Sequence, residues 1–337
     1  MTTMRIAIDA MGSDLAPVPE ILGASRMLRH FDGEICLVGP RERLEPEMAR
    51  LGCDHRIDVL DAPDTVTMEE RPIEAFRRKP RSSLRIGLEA VRRGDAAALV
   101  SAGNSGALLV GAVAVLGSLP GHDRPALAVE LPTMGRSTIL TDAGANTACR
   151  PSHLLSFARM AAAAARVLAG VDHPTVGVLG NGTEPTKGTD LTRAATELLR
   201  ASELDFTGYV EPHELPRGVV DVVVTDGFTG NVLLKTMEGT AELGRALLAR
   251  AVANGVLPAI ALGLARFALR RRLHGLLDYR ERGGAPLLGV RGLVIAAHGR
   301  SNPDAIGGAI RQAMRLSPLN LSAPDAAEER CSRRSVG

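Results

Sequence analysis

The chain of 337 residues is 45% hydrophobic, enough to fill one large core or two small ones, and its 40 Lys and Arg against 38 Asp and Glu leave a formal charge of +2. That balance excludes a global field for capturing nucleic acid, and the absence of Trp with only two Tyr argues against base-stacking platforms.

Short runs of Val, Ile, Leu and Ala alternate with longer segments of helical period, the pattern of βα units that build a largely parallel, helix-covered sheet. In chain order, strands are predicted at RIAIDA (5–10), EICLVG (34–39), RIDVLD (56–61), AALVSAG (97–103) and ALAVEL (126–131). Further strands follow at TILTDAG (138–144), TVGVLGN (175–181), DFTGYVE (205–211), DVVVTDG (221–227) and LVIAAHG (293–299). Residues 1–318 are expected to form a single α/β domain with a helical projection at about 236–285. The tail after Pro318 loses hydrophobic periodicity and is expected to be disordered.

Six of these strands end in glycine mixed with Asp, Asn, Ser or Thr: DAMGSD, SAGNSG, DAGAN, GNGTEPTKG, TDGFTGN and AHGRSN. One such junction is explained by turn formation and helix capping. Six together predict a crevice at the carboxyl ends of a parallel sheet, where backbone N–H groups and helix N-termini suit an anion such as phosphate. The binding candidates are Asp9, Gly12 and Asp14 in the first junction, Asn104, Ser105 and Gly106 in the second, and Asp142, Gly144 and Asn146 in the third. Glu184 in the fourth, Asp226, Gly227, Thr229 and Gly230 in the fifth, and His298 and Ser301 in the sixth complete the set. His298 is the histidine best placed to act as a general acid or base. For the carboxylates, capping and sheet-end hydrogen bonding are as good an account as substrate contact.

Neither a P-loop nor a dinucleotide fingerprint is present, so ATP and NAD lack their usual signatures. Cys36, Cys53, Cys149 and Cys331 are widely spaced without a Cys-x-x-Cys pair, which predicts reduced structural thiols rather than a metal site or disulfide framework. No metal is expected from the scattered histidines either. The N-terminal segment has no secretory pattern, and the apolar stretch GALLVGAVAVLGSLPG is too short and too interrupted to span a bilayer. A cytoplasmic location is the expectation.

Arg77, Arg78, Lys79 and Arg81 form a basic run read as a loop, either a solvated surface or a docking patch for an acidic partner. A second basic region, residues 250–282, places apolar residues at helical spacing over 257–276. It predicts a projecting helix that packs in a hairpin, joins a dimer interface or touches a membrane surface.

The blocks RIAIDAMGSDLAP, SAGNSGALL, DRPALA, DAGAN, VVVTDGFTGNVLLKTMEG and GGAPLLGVRGLVIAAHGRSNPDAIGGAIRQA, in that order, closely resemble the bacterial phosphate acyltransferases known as PlsX. The resemblance implies a homodimer with a fold similar to the isocitrate and isopropylmalate dehydrogenases, needing no metal or organic cofactor. It further implies transfer of a fatty acyl group from acyl carrier protein to inorganic phosphate at the inner face of the membrane. The acyl phosphate would then serve a membrane-bound glycerol-3-phosphate acyltransferase. By the same resemblance the reactive roles fall on Lys187 and Asn231, and the basic run 77–81 becomes the carrier-docking patch. The chain departs from the family pattern at Ser13, Leu15, Ala148 and Gly180, where Gly, His, Asp and often Asn are usual. These positions allow for a divergent relative acting on a specialised acyl group, or a catalytically silent carrier-binding scaffold.

Overall fold

The computed structural model of the protein describes residues 4–53, 55–184, 186–253 and 283–319. The helical pattern expected over 257–276, and all of the tail except Leu319, lie outside these residues.

One eleven-stranded sheet runs through the molecule in the order β3-β2-β1-β4-β11-β10-β5-β6-β9-β7-β8. All ten predicted strands are present: β1 (Arg5–Asp9), β2 (Glu34–Gly39), β3 (Ile57–Asp61), β4 (Ala98–Ser101), β5 (Ala126–Leu131), β6 (Thr138–Thr141), β7 (Thr175–Leu179), β8 (Asp205–Val210), β9 (Val222–Val224) and β11 (Leu293–Ala296). Missing from the prediction was β10 (Ala285–Leu288), four residues that include Pro286 and sit between Gly284 and Gly289. Proline is tolerated because β10 changes partner midway. Ala285 and Pro286 pair with β11, whereas Leu287 and Leu288 pair with β5.

The sheet is largely parallel and helix-covered, as expected, and this short strand sets how its two halves meet. Strands β3, β2, β1, β4 and β11 form one parallel block, and β6, β9, β7 and β8 form another. Between them β10 and β5 are antiparallel to both of their neighbours, so the two blocks run in opposite directions. Ile295 pairs with Pro286 and with Val100, while Leu287 pairs with Leu127, which sets Pro286 level with Ala128. Ala128 pairs with Thr141, Thr141 with Val224, and Val224 with Val178. The blocks thus point towards each other and stop on a common line across the middle of the sheet. The carboxyl-end loops do gather, but at the sheet's midline rather than along one edge.

Helices cover both faces. Among the described residues α1 (Val18–Met27), α6 (Pro151–Ala169) and α9 (Pro303–Leu316) pack on one side around Ile6, Ile21, Phe157 and Ile306. On the other, α3 (Pro72–Arg78), α4 (Ser83–Arg93) and α5 (Ser105–Leu116) pack around Phe76, Leu88, Leu99 and Leu108. The outer helices are α2 (Arg41–Leu51) and α7 (Asp190–Arg200), and α8 (Gly227–Ala253) follows β9 directly. Local sequence sets the ends of these helices. The Ser82 hydroxyl accepts the Arg85 N–H at the start of α4, and Gly94 closes that helix in the left-handed conformation at φ 77°. Asn302 caps α9 ahead of Pro303 in the same way.

Only part of the basic run is the loop that was predicted, with Arg81 in the turn before α4. Arg77 and Arg78 form the last turn of α3, and Lys79 closes it. The Lys79 ammonium donates to the Thr65 carbonyl and the Glu70 carboxylate, both at 2.6 Å, which holds the Glu70 carboxyl below the usual carboxylate range.

Candidate active site

The first-block loops pack backbone against backbone. A Cβ on Gly12 would lie 2.6 Å from the Gly103 nitrogen, so only glycine lets the β1 and β4 loops meet. Beneath them Asp9 is 3% exposed, and its Oδ2 accepts the Ser101 hydroxyl at 2.7 Å while its Oδ1 accepts the Met11 N–H at 3.3 Å. Burial raises the Asp9 carboxyl's pKa against those hydrogen bonds. The Asp14 N–H donates to the Gly299 carbonyl at 2.8 Å, tying the β1 loop to the loop after β11. Asn104 is wholly engaged in structure. Its Oδ1 accepts the Ala107 N–H and so caps α5, while its Nδ2 group reaches the carbonyls of Thr67, Met68 and Glu70.

In the second block Asp142 organises the loop that follows β6. Fully buried, its carboxylate accepts the N–H groups of Leu127, Gly144, Ala145 and Asn146 and the Asn146 side-chain amide, at 2.7–3.1 Å. Desolvation nevertheless raises its pKa. Asn146 also donates to the Pro125 carbonyl, and Asp226 caps α8 by accepting the Thr229 N–H and hydroxyl. Asp142, Asn146, Asp226 and Asn104 therefore shape the loops rather than present free polar groups. A Cβ on Gly230 would come within 2.0 Å of the Asp142 carbonyl, so the TDGFTGN turn can seat on the DAGAN loop only with glycine there. A Cβ on Gly227 would likewise meet the Asn146 backbone.

This seating presents Asn231. It is exposed in the first turns of α8, and its Cβ and Cγ lie 3.6 Å from where a Gly144 Cβ would stand. Gly144 in turn lines a cavity of ≈ 110 Å³ with Ala145, and Ser105 and Gly106 from the start of α5 line the same cavity. Loops from both blocks thus share one hollow, with Ala296 at the end of β11 also on its wall. His298 lies just beyond. Its Nδ1 accepts the Arg300 N–H at 3.1 Å, which leaves the proton of the neutral ring on Nε2 as an outward donor. Although the residue is exposed overall, partial desolvation and then Lys235 of α8 lower its pKa, keeping the ring neutral near pH 7. Ser301 is buried, its N–H donating to the His298 carbonyl.

Lys187 and Glu184 sit on the exposed loop after β7, with the ammonium 4.0 Å from the Glu184 carboxylate. Strand register places that loop beside the one carrying Asn231, because Val178 pairs with Val224. The Lys187 side chain also packs over Gly182.

Two buried residues escaped the sequence reading. Glu20 of α1 has no exposed surface, and its Oε1 accepts the Ser13 N–H at 3.3 Å, fixing the β1 loop from beneath. Burial pushes its carboxyl up to about 7. Ser101, second among them, reads only as strand end. Of the four departures, Gly180 has a local cause, since a Cβ there would stand 2.7 Å from the Tyr209 ring. Leu15 is 73% exposed and Ala148 lies exposed beyond DAGAN, while Ser13 is buried without a partner for its hydroxyl.

Cys149 and Cys36 are not poised for attack. Burial, then Asp142 and Asp226, push Cys149 up to about 11, and burial raises Cys36. Among the described residues no three His, Cys, Asp or Glu side chains gather to hold a metal ion, and no helix is long and apolar enough to cross a membrane.

The backbone is that of a helix-covered, mostly parallel sheet shared by phosphotransacetylases and 4-hydroxythreonine-4-phosphate dehydrogenases. A phosphotransacetylase from Streptococcus pyogenes superposes with a TM-score of 0.61 at 17% identity, covering 94% of each chain. The 4-hydroxythreonine-4-phosphate dehydrogenase from Klebsiella pneumoniae gives 0.51 at 16%, covering 94% of this chain and 98% of the other. In sequence, a phosphate acyltransferase from Myxococcus xanthus is 47% identical over 325 residues, 95% of this chain and 92% of the relative. The profile of the family described as fatty acid synthesis protein matches residues 4–323. The protein is an acyltransferase. It belongs to the phosphate acyltransferase family, whose chemistry is acyl transfer to phosphate.

Proposed function

We propose that the protein takes a fatty acyl group from acyl carrier protein and passes it to inorganic phosphate, making acyl phosphate for phospholipid synthesis. An oxygen of hydrogen phosphate adds to the thioester carbon, and the resulting oxyanion collapses with cleavage of the C–S bond. Sulfur takes the bonding electrons and the proton that phosphate gives up, so the products are acyl phosphate and the carrier thiol. Phosphate is itself a competent nucleophile near neutral pH, and the work left to the protein is positioning and charge stabilisation. The elevated pKa of Cys149 fits direct attack rather than an acyl-cysteine intermediate.

The observation that carries this reading is the hollow bounded by Ser105 and Gly106 on one side and Gly144, under Asn231, on the other. In it the Asn231 amide donates to the carbonyl oxygen or phosphate, and the free Nε2–H of His298 offers a second donor. Lys187 neutralises the phosphate from the neighbouring loop. Carrier docking falls to the exposed Arg77, Arg78 and Arg81, with Lys79 committed to Glu70. A homodimer is supported by the exposed apolar side chains of Phe228, Val232, Leu243 and Leu247, which share one stripe along α8. The product is then handed to a membrane-bound glycerol-3-phosphate acyltransferase at the inner face of the membrane.

The test is to incubate pure protein with acyl carrier thioester and phosphate and trap the mixed anhydride with hydroxylamine. Phosphate-dependent hydroxamate is expected. Carrier binding without any hydroxamate would instead make the protein a silent scaffold. In Lys187→Met the phosphate KM should rise roughly 10- to 100-fold, the scale of a lost hydrogen bond to a charged group.

A further inference from the structure

We infer that the leucine-walled end of this hollow seats the alkyl part of the transferred acyl group, with Leu127 bounding the seat for every chain and the α5 face at Leu109 and Val113 carrying the longer ones. The inference rests on the acyl-transfer reading and adds to it a place and a size for the chain.

The hollow is chemically two-ended. Its exposed lining, Ser105 and Gly144, offers backbone and a hydroxyl, whereas its buried members, Leu108 and Leu287, and the half-buried Leu109 and Leu127 are apolar. Leu108 and Leu287 are buried to within 2% of their surface, and among the described residues no ionisable side chain lines the space. A phosphate among the leucines would lose its hydration with nothing to replace it. An acyl group satisfies both ends, with its carbonyl at the exposed lining and its methylenes among the leucines.

Size sets a limit. An apolar cavity of about 150 Å³ admits a benzene ring, so the ≈ 110 Å³ here accommodates only about the first four carbons. A longer chain must leave along α5. There Leu109 is half-buried and Val113, one turn on, is 39% exposed, on a helix with no charged residue between Ser105 and Leu116. The wall is also rigidly coupled to the exposed lining, since the Leu127 N–H and the Gly144 N–H share one oxygen of Asp142. Filling the wall should therefore affect reactivity as well as affinity.

The experiment measures acyl phosphate formation from carrier thioesters of four to sixteen carbons at saturating phosphate, in wild type, Leu127→Phe and Val113→Glu. Leu127→Phe is expected to lower kcat/KM at least tenfold for every donor, with the phosphate KM within twofold of wild type, since one methylene's fit in such a pocket is worth about 10- to 200-fold. Val113→Glu, a surface change that spares the core, is expected to lower the hexadecanoyl-to-butanoyl rate ratio at least tenfold. Active wild type with unaltered kcat/KM for every donor in Leu127→Phe, or an unaltered chain-length profile in Val113→Glu, overturns the seat and leaves acyl transfer standing. Wild type that yields no acyl phosphate from any thioester overturns the underlying reading, and the seat with it.

Discussion

Asn231 stands directly over Gly144, its Cβ and Cγ 3.6 Å from the point where any side chain on that residue would begin. Gly144 has φ 144°, a conformation that side chains rarely adopt, so the backbone angle demands glycine, while the 3.6 Å approach of Asn231 is ordinary van der Waals contact. Asn231→Ala keeps the α8 turn, which Asp226 caps independently, and removes only the amide. Hydroxamate assays should show turnover lower by roughly 100- to 1000-fold, the usual cost of one oxyanion donor. A loss below tenfold would remove Asn231 from the reaction.

Asp142 makes a different prediction because its carboxylate is consumed by the fold. Asp142→Asn replaces an acceptor-only group with one whose NH2 faces N–H donors, leaving several buried groups unpaired. Unfolding by heat or denaturant should show a loss of about 3 kcal/mol or more. Equal stability with lost activity would instead place this carboxylate on the substrate.

How much of this was legible in sequence depends on whether a residue's partner was local. Asn104, Asp226 and Asn302 cap helices beginning at the next position, and capping was the reading offered for junction residues of this type. The strands were equally readable, as short apolar runs, six of them ending at glycine-containing junctions. What could not be read was direction. Four residues around Pro286 carry no strand period, yet β10 is what turns the second block to face the first. Glu20 was hidden for a related reason. An acid in the first turn of a helix looks like a solvated dipole partner, and only the packing of α1 beneath Ser13 buries it.

That burial gives a pH dependence with a definite sign. The Glu20 carboxyl is raised from 4.5 to about 7 on folding, so between those values the folded state binds more protons than the unfolded chain. Stability from this group is full below pH 4.5 and is lost as pH rises through about 7, at most roughly 3 kcal/mol across the window. Asp9, also raised by burial, acts in the same direction. Glu20→Gln should flatten the melting temperature against pH over this range. An unchanged slope would mean that the carboxyl titrates normally.

The remaining prediction concerns the helix that ends in arginines. Arg78 lies 4.0 Å from Glu74 with 79% of its side chain exposed, a pairing too loose and too wet to contribute much stability. Arg77 and Arg81 are exposed as well, whereas Lys79 is bonded to Glu70 and Thr65 and holds the segment in place. Changing Arg77, Arg78 and Arg81 to Glu should therefore leave the melting temperature nearly unaltered while weakening affinity for an acidic carrier. Because the interaction is between exposed charges, the loss should be larger at low salt and fade as the Debye length shrinks to about 8 Å at 0.15 M ionic strength. Titrations of labelled carrier at two ionic strengths check this, with Lys79→Met as the contrast, expected to lower stability by freeing the Glu70 carboxylate. If the triple variant binds the carrier as wild type does at low salt, docking must use another surface.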